Sequence, residues 1–142
     1  MTHPHILVCA PFVTLPGEPG ANRFVALAQR LAKDYTVTLV TSRFCHFTKR
    51  QRSQTPDLQS VRLVMLDEPG YRHNVGFGRL WSHRQFCRNL ETYLATAPHF
   101  DLVYSAFPMV HTNLILGAKY GPSSVPLVID VQDVWPEAIA GA

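Results

Sequence analysis

Five short apolar runs, spaced along the chain and each broken by turn formers or charge, limit the folds open to this sequence more than anything else in it. The first, His5 to Phe12, is nearly continuous in apolar character and closely bounded by proline and glycine. It is too short for a helix and reads as a strand buried on both faces. Tyr35 to Ser42 and Ser60 to Leu66 are rich in residues that suit a pleated surface, so they read as the second and third strands. Asp101 to Ala106 is the fourth, and the apolar run Val125 to Val131 reads as a buried fifth.

The segments between these runs carry a different period. From Arg23 to Lys33, the residues Phe24, Leu27, Ala28 and Leu31 fall on one helical stripe, with Asn22 placed to cap its start. Phe77, Leu80, Trp81, Cys87, Leu90 and Leu94 share a broad face of a longer helix that Pro98 closes. A third helix runs from about Met109 to Tyr120 and ends on Gly121, a residue suited to a left-handed cap. Arg43 to Asp57 has no clean period and reads as a mobile, mostly irregular connection, and Asp67 to Gly76 is also irregular. Strands alternating with helices predict an α/β fold, and right-handed crossovers make its sheet parallel and doubly wound. The expected architecture is a Rossmann-like, three-layer α/β/α sandwich with strand order 3-2-1-4-5, counting the five runs in chain order. The order reverses between the first and fourth strands, so the Gly17 to Asn22 loop and the Ser105 to Pro108 loop should border one crevice. The end of the fifth strand should lie beside it, where ligands bind in open sheets of this kind.

Composition narrows the class further. A chain of 142 residues that is 46% hydrophobic and 16% charged suits one folded domain over residues 1–142 and excludes a disordered chain. No apolar stretch reaches the length of about 20 residues that spans a bilayer, and Met1 to His5 carry no Lys or Arg, so a soluble cytoplasmic chain is expected. Cys9, Cys45 and Cys87 are odd in number and widely spaced, as buried thiols in a reducing compartment would be. The histidines are scattered, and the His3/His5 pair at the terminus makes a poor metal site. The formal charge is +3, yet residues 43–88 hold nine Lys or Arg against three Asp or Glu. The middle of the chain is therefore the part expected to face an anion.

Four segments carry residues suited to chemistry. Gly17-x-x-Gly20 followed by Asn22 and Arg23 opens a helix after a strand, where backbone N–H groups and the helix terminus suit a phosphate. The spacing matches neither the dinucleotide fingerprint nor a Walker loop, so a plain structural loop stays open as the other reading. Arg23 opposes the helix dipole and is easier to explain if something negative sits beside it. The run Arg43 to Arg52 mixes cations with Phe44 and Phe47; it suits an anionic membrane surface, single-stranded nucleic acid or plain solvent. No nucleic-acid-binding signature accompanies it, and no nucleic acid is expected as a partner. Tyr71 and Arg72 continue the basic character towards the long helix, where Arg84 and Arg88 lie one turn apart. At the fifth strand's end, Asp130, Asp133 and Glu137 can accept hydrogen bonds from sugar hydroxyls or act as a base, or Asp133 can simply cap a helix.

Taken together these segments resemble the N-terminal half of a two-domain GT-B glycosyltransferase, of the retaining class that builds bacterial capsule, O-antigen and other surface polysaccharides. The resemblance rests on Pro16-Gly17-x-x-Gly20-x-Asn22-Arg23, on the Tyr71 to Arg79 stretch before a long helix, on Ser105-x-x-Pro108, and on Asp130-x-x-Asp133-x-Trp135-Pro136-Glu137. The last is the most specific, since members of that family commonly show Asp-x-Trp-Pro-Glu there. The first loop departs from the Gly-Gly usual in that family. What the resemblance implies is an acceptor-binding domain forming one wall of a cleft, with a nucleotide-sugar donor held by a second domain that this chain does not include. Gly17 and Gly20 would approach the donor diphosphate and Asn22 and Arg23 would edge the cleft. Tyr71, Arg72, Ser105, Pro108, Asp130, Trp135 and Glu137 would line it, and Asp133 would lie near the reacting sugar as the catalytic candidate. No metal or other cofactor is implied. The acceptor would be a glycan or lipid-linked glycan, with residues 43–52 touching the inner face of the membrane.

Two other readings remain open on the sequence. One is a stand-alone docking subunit that pairs with a separate donor-domain chain or with anionic lipid. The other is a flavin- or nicotinamide-binding domain, which the absence of either fingerprint disfavours.

Overall fold

A computed structural model describes residues 3–107 and 109–132. The central sheet has five strands: β1 (His5–Cys9), β2 (Thr36–Ser42), β5 (Val61–Leu66), β6 (Leu102–Ala106) and β7 (Leu127–Asp130). Their order is β5-β2-β1-β6-β7 and every pairing is parallel. Among the five sheet strands this is the expected 3-2-1-4-5 order. The intervening numbers belong to two short strands absent from the sequence expectation, β3 (Phe44–Cys45) and β4 (Arg50–Gln51), which pair antiparallel as a hairpin. The connection read as irregular is thus ordered around Lys49, whose N–H bonds to the Cys45 carbonyl at 2.9 Å.

The helices α1 (Arg23–Leu31), α2 (Phe77–Thr96) and α3 (Val110–Tyr120) complete a Rossmann-like α/β/α sandwich. Strand side chains alternate between its two cores. Ile6, Val8, Val37, Leu39 and Val61 pack with Phe24, Val25 and Ala28 of α1, whereas Leu7, Cys9, Val40 and Val103 pack with Phe86, Leu90 and Leu94 of α2 and Leu116 of α3. Leu7, Val8 and Cys9 are fully buried, which accounts for the unbroken apolar character of the first run. All three cysteines are free and buried; burial, together with Cys87, pushes the Cys9 thiol up to about 12, which leaves it inert.

Several local expectations are corrected. Phe77, Leu80 and Trp81 are exposed rather than part of the buried stripe of α2, which is made by Ser82, Phe86, Cys87, Leu90 and Leu94. Gly121 closes α3 with φ −56°, not in the left-handed region. It is small for another reason: a Cβ there would stand 2.5 Å from the Gly117 carbonyl oxygen that accepts its N–H. The last strand is a sheet edge, and Val128 and Ile129 are exposed rather than buried. Asn22 precedes α1, but its side chain makes no capping hydrogen bond.

Candidate functional site

The C-terminal ends of β1, β2, β5, β6 and β7 open on one side of the sheet, and the charged and aromatic residues gather there. The loop after β1 is built by glycines that take positive φ, Gly17 at +88° and Gly20 at +112°. A Cβ on Gly17 would meet nothing, while one on Gly20 would touch the Thr14 hydroxyl at 3.3 Å. Glu18 and Arg52 hold this loop. Arg52 donates from Nε and a terminal nitrogen to the two Glu18 oxygens at 2.7 and 2.8 Å, and to the carbonyls of Ser42 and Val13 at 2.6 Å each. The Leu15 N–H donates to the same carboxylate at 2.9 Å. Burial alone would raise the Glu18 carboxyl, but the hydrogen bonds from Arg52 and Leu15 outweigh it and hold the carboxyl below its ordinary value. Beside this clamp lies a cavity of about 280 Å³ bordered by Pro16, Thr48, Gln51 and Gln54.

Arg23, at the start of α1, donates to Asp130 at the end of β7 at 2.5 Å, and the Tyr104 hydroxyl donates to the same carboxylate oxygen at 2.6 Å. The negative partner expected beside Arg23 is thus Asp130, 107 residues away in sequence. Ser105 is buried and donates to Asn113 of α3 at 2.7 Å. Between these groups, where the strand order reverses, Pro11, Phe12, Phe24, Phe107 and Met109 line a shallow apolar pocket. Gly17, Gly20, Asn22, Arg23, Ser105 and Asp130 therefore stand around the ends of β1, β6 and β7. Arg72 is exposed, as are Arg84 and Arg88. Pro108, Asp133, Trp135, Pro136 and Glu137 lie outside the described residues.

A second group sits at the ends of β2 and β5 and joins the basic run Arg43 to Arg52 to the Tyr71 to Arg79 stretch, with His83 and Phe12 as members the sequence reading did not single out. The Tyr71 hydroxyl is hydrogen-bonded to His46 Nδ1 at 2.5 Å, and His83 Nε2 reaches the same phenol oxygen at 3.5 Å. Lys49 Nζ stands 3.3 Å from His46 Nδ1 and donates to the Asn74 side chain at 2.5 Å. Arg79 donates to the Asn74 carbonyl at 2.5 Å and lies over the Tyr71 ring, 5.7 Å from the ring centroid. Phe12 packs against both imidazoles. Burial, then Lys49 and Arg79, lower His46 to about 4; burial, then Arg79, His46, His111 and Lys49, lower His83 to about 4. Burial raises Tyr71 to about 12 despite Arg79. Both imidazoles are therefore neutral and the phenol is protonated at physiological pH.

The floor beneath this cluster is Glu68, buried just past β5 and accepting from the hydroxyls of Ser42 and Ser82. The Ser42 and Ser82 oxygens in turn accept the N–H groups of Phe44 and Gly70 at 2.9 and 2.8 Å. One carboxylate thus fixes the end of β2, the start of the hairpin and the inner face of α2. Chemically the arrangement is a cation-bearing wall: among the described residues, the salt bridges of Arg23, Arg30, Arg43, Arg52 and His99 involve neither Lys49 nor Arg79. No group of three or more His, Cys, Asp or Glu suited to a metal occurs among the described residues.

Fold and site together define a Rossmann-like α/β domain with its polar groups at the carboxyl ends of the strands. The chain is similar to the C-terminal domain (residues 78–226) of a hydrogenase from Pyrococcus furiosus, with a TM-score of 0.50 and 16% identity over 92% of this chain and 93% of that one. At that identity the likeness is one of fold. No protein-family model and no curated protein matches the sequence. No helix among the described residues is long and apolar enough to cross a membrane.

Proposed function

We propose that this chain is the acceptor-binding half of a GT-B, retaining glycosyltransferase of bacterial surface-polysaccharide synthesis. It would work on a sugar passed from a nucleotide-sugar donor to a glycan or lipid-linked acceptor at the cytoplasmic face of the membrane. The observation that carries the reading is the Arg23–Asp130 pair at 2.5 Å. Two of the four segments that carry the resemblance, the Pro16 to Arg23 loop and the strand end leading into Asp133, meet through this pair. In this reading Gly17 and Gly20 turn backbone N–H groups towards the donor diphosphate, and Arg23 fixes Asp130 so that the chain beyond it delivers Asp133 to the reacting sugar. The wall supplies positioning and electrostatic stabilisation, which is most of what such a transfer asks of a protein.

The reading requires a donor-binding domain, in the same reading frame or on a separate chain. The test is transfer of radiolabelled sugar from a panel of nucleotide sugars to a bacterial lipid extract. The expected result is none with this chain alone, transfer once the donor domain is supplied, and loss of transfer in Asp133→Asn. Transfer by the 142-residue chain alone, or none with the donor domain present, overturns the proposal. A docking role is favoured by one separate observation: Val75, Phe77, Leu80 and Trp81 are 89, 90, 66 and 54% exposed at the start of α2, beside Arg72 and Arg84. Flotation with anionic vesicles, lost in Phe77→Gln/Trp81→Gln while transfer chemistry is untouched, would separate that role from catalysis.

A further inference from the structure

The cluster at the ends of β2 and β5 has a composition that the fold by itself does not require. Two imidazoles, an ammonium, a guanidinium and a phenol converge from three separate elements: His46 and Lys49 from the β3–β4 turn, Tyr71 from the segment after β5, and Arg79 and His83 from α2. The two cations repel each other and oppose protonation of the imidazoles. Lys49 is itself lowered by burial and by Arg79, and both histidines are held neutral in part by the two cations. Lys49 adopts a left-handed backbone, φ +55°, at a cost of roughly 1–2 kcal/mol for a side chain that is not glycine. That strained turn brings its ammonium 4.7 Å from the Tyr71 ring centroid and into the cluster rather than out to solvent. A backbone outlier beside two neighbouring cations is the kind of feature found where a ligand supplies the missing term.

We propose that His46, Lys49, Tyr71, Arg79 and His83 form a binding site for a phosphate or diphosphate group. The sign of the charge decides the class of ligand. An ammonium 3.3 Å from the imidazole nitrogen that a metal would need repels a cation and attracts an anion. Donors remain for a ligand: the Lys49 N–H groups not given to Asn74, the rest of the Arg79 guanidinium, and the imidazoles and the Tyr71 hydroxyl once the histidines are protonated. The carboxylate closest to the cluster, Glu68, has its oxygens engaged by Ser42 and Ser82 and forms the floor instead of competing for the cations. Assigning the phosphate to the acceptor rests on the transferase reading, but the anion site does not.

Bound phosphate offsets the repulsion, so it raises both histidines and binding takes up protons. Lys49, Arg79 and His111 are the cationic or titratable groups that oppose this rise, with Tyr71 and Glu68 completing the set that faces the imidazoles. The test is imidazole NMR of the chain titrated with inorganic pyrophosphate and, in a second arm, with monomeric short-chain phosphatidic acid. The expected result is one saturable site, with His46 and His83 moving up from about 4 by at least a unit, and Lys49→Gln and Arg79→Gln each weakening affinity about tenfold. Arg62→Gln, an exposed cation on β5 away from the cluster, should leave affinity unchanged. A response to pyrophosphate identifies a free diphosphate group as sufficient, and a response only to phosphatidic acid identifies a lipid phosphomonoester. The site is refuted if neither ligand moves the two histidines, or if Arg62→Gln costs as much as Lys49→Gln. Because no sugar transfer is read, a failure here is separable from a failure of the transferase reading.

Discussion

At the scale of single residues, the loop after β1 is held by one arginine. Arg52 is 6% exposed and divides its donors between Glu18 and two backbone carbonyls, so truncating it strands a partly buried carboxylate and two carbonyl oxygens together. Arg52→Ala is expected to cost about 3 kcal/mol in urea unfolding, in the range for breaking a buried ion pair, whereas Arg30→Ala at the exposed Asp34 pair should cost well under about 1 kcal/mol. The two half-buried histidines set the acid limit. Between the ordinary imidazole value of 6.5 and about 4, the unfolded chain binds protons that folded His46 and His83 refuse. Stability therefore falls as pH is lowered through that window. A thermal midpoint that drops from pH 7 to pH 4.5, and drops less in His83→Gln, is the expected record. Of these residues, Arg23 and Asp130 could be singled out from sequence because each is odd for its position: a cation at a helix start and an acid ending an apolar strand. Arg52, Glu68, His46 and His83 could not, because their partners lie 34, 26, 25 and 12 residues away and only the folded sheet brings them together.

At the scale of elements, the sheet strands and helices were legible because burial on two faces and on one stripe leave different periods in the sequence. The exceptions have separate physical sources, and for α2 it is buried polarity. The inner face of α2 begins with Ser82, whose hydroxyl donates to Glu68, so the helix is rotated to present a serine to the core and leaves Phe77, Leu80 and Trp81 outside. An apolar stripe drawn through the aromatic residues misses that rotation. The β3–β4 hairpin has strands of two residues each and a charged outer side, too short for any period to show. Gly70 joins these elements. Its φ is +82°, its N–H bonds to Ser82, and a Cβ would stand 2.6 Å from the Phe44 ring. Gly70→Ala combines backbone strain with a clash against a buried aromatic and is expected to destabilise by about 2–4 kcal/mol. Gly17→Ala has left-handed strain but open space, and should cost only about 1 kcal/mol. A difference between the two in thermal or urea unfolding checks the packing at the β5–α2 corner.

At the scale of the whole molecule, two of the apolar surfaces among the described residues compete as the place where this chain meets something else. One is β7, the last strand in the order of the described sheet, where Val128 and Ile129 are each 43% exposed, a surface suited to strand pairing. The other is the first turn and a half of α2, where Phe77, Leu80 and Trp81 stand outward from a helix already anchored by Phe86 and Leu90. Their consequences differ. Strand pairing at β7 orders backbone and should be blocked by a charge on the edge, as in Ile129→Lys. Contact through α2 is made by side chains alone and should be abolished by Phe77→Gln/Leu80→Gln/Trp81→Gln. Because those three side chains are exposed, that variant should keep its unfolding free energy within about 0.5 kcal/mol per site. Sedimentation velocity over a concentration series should show association of the unmodified chain that the α2 variant loses and Ile129→Lys retains. The reverse result would move the self-association surface to the sheet edge.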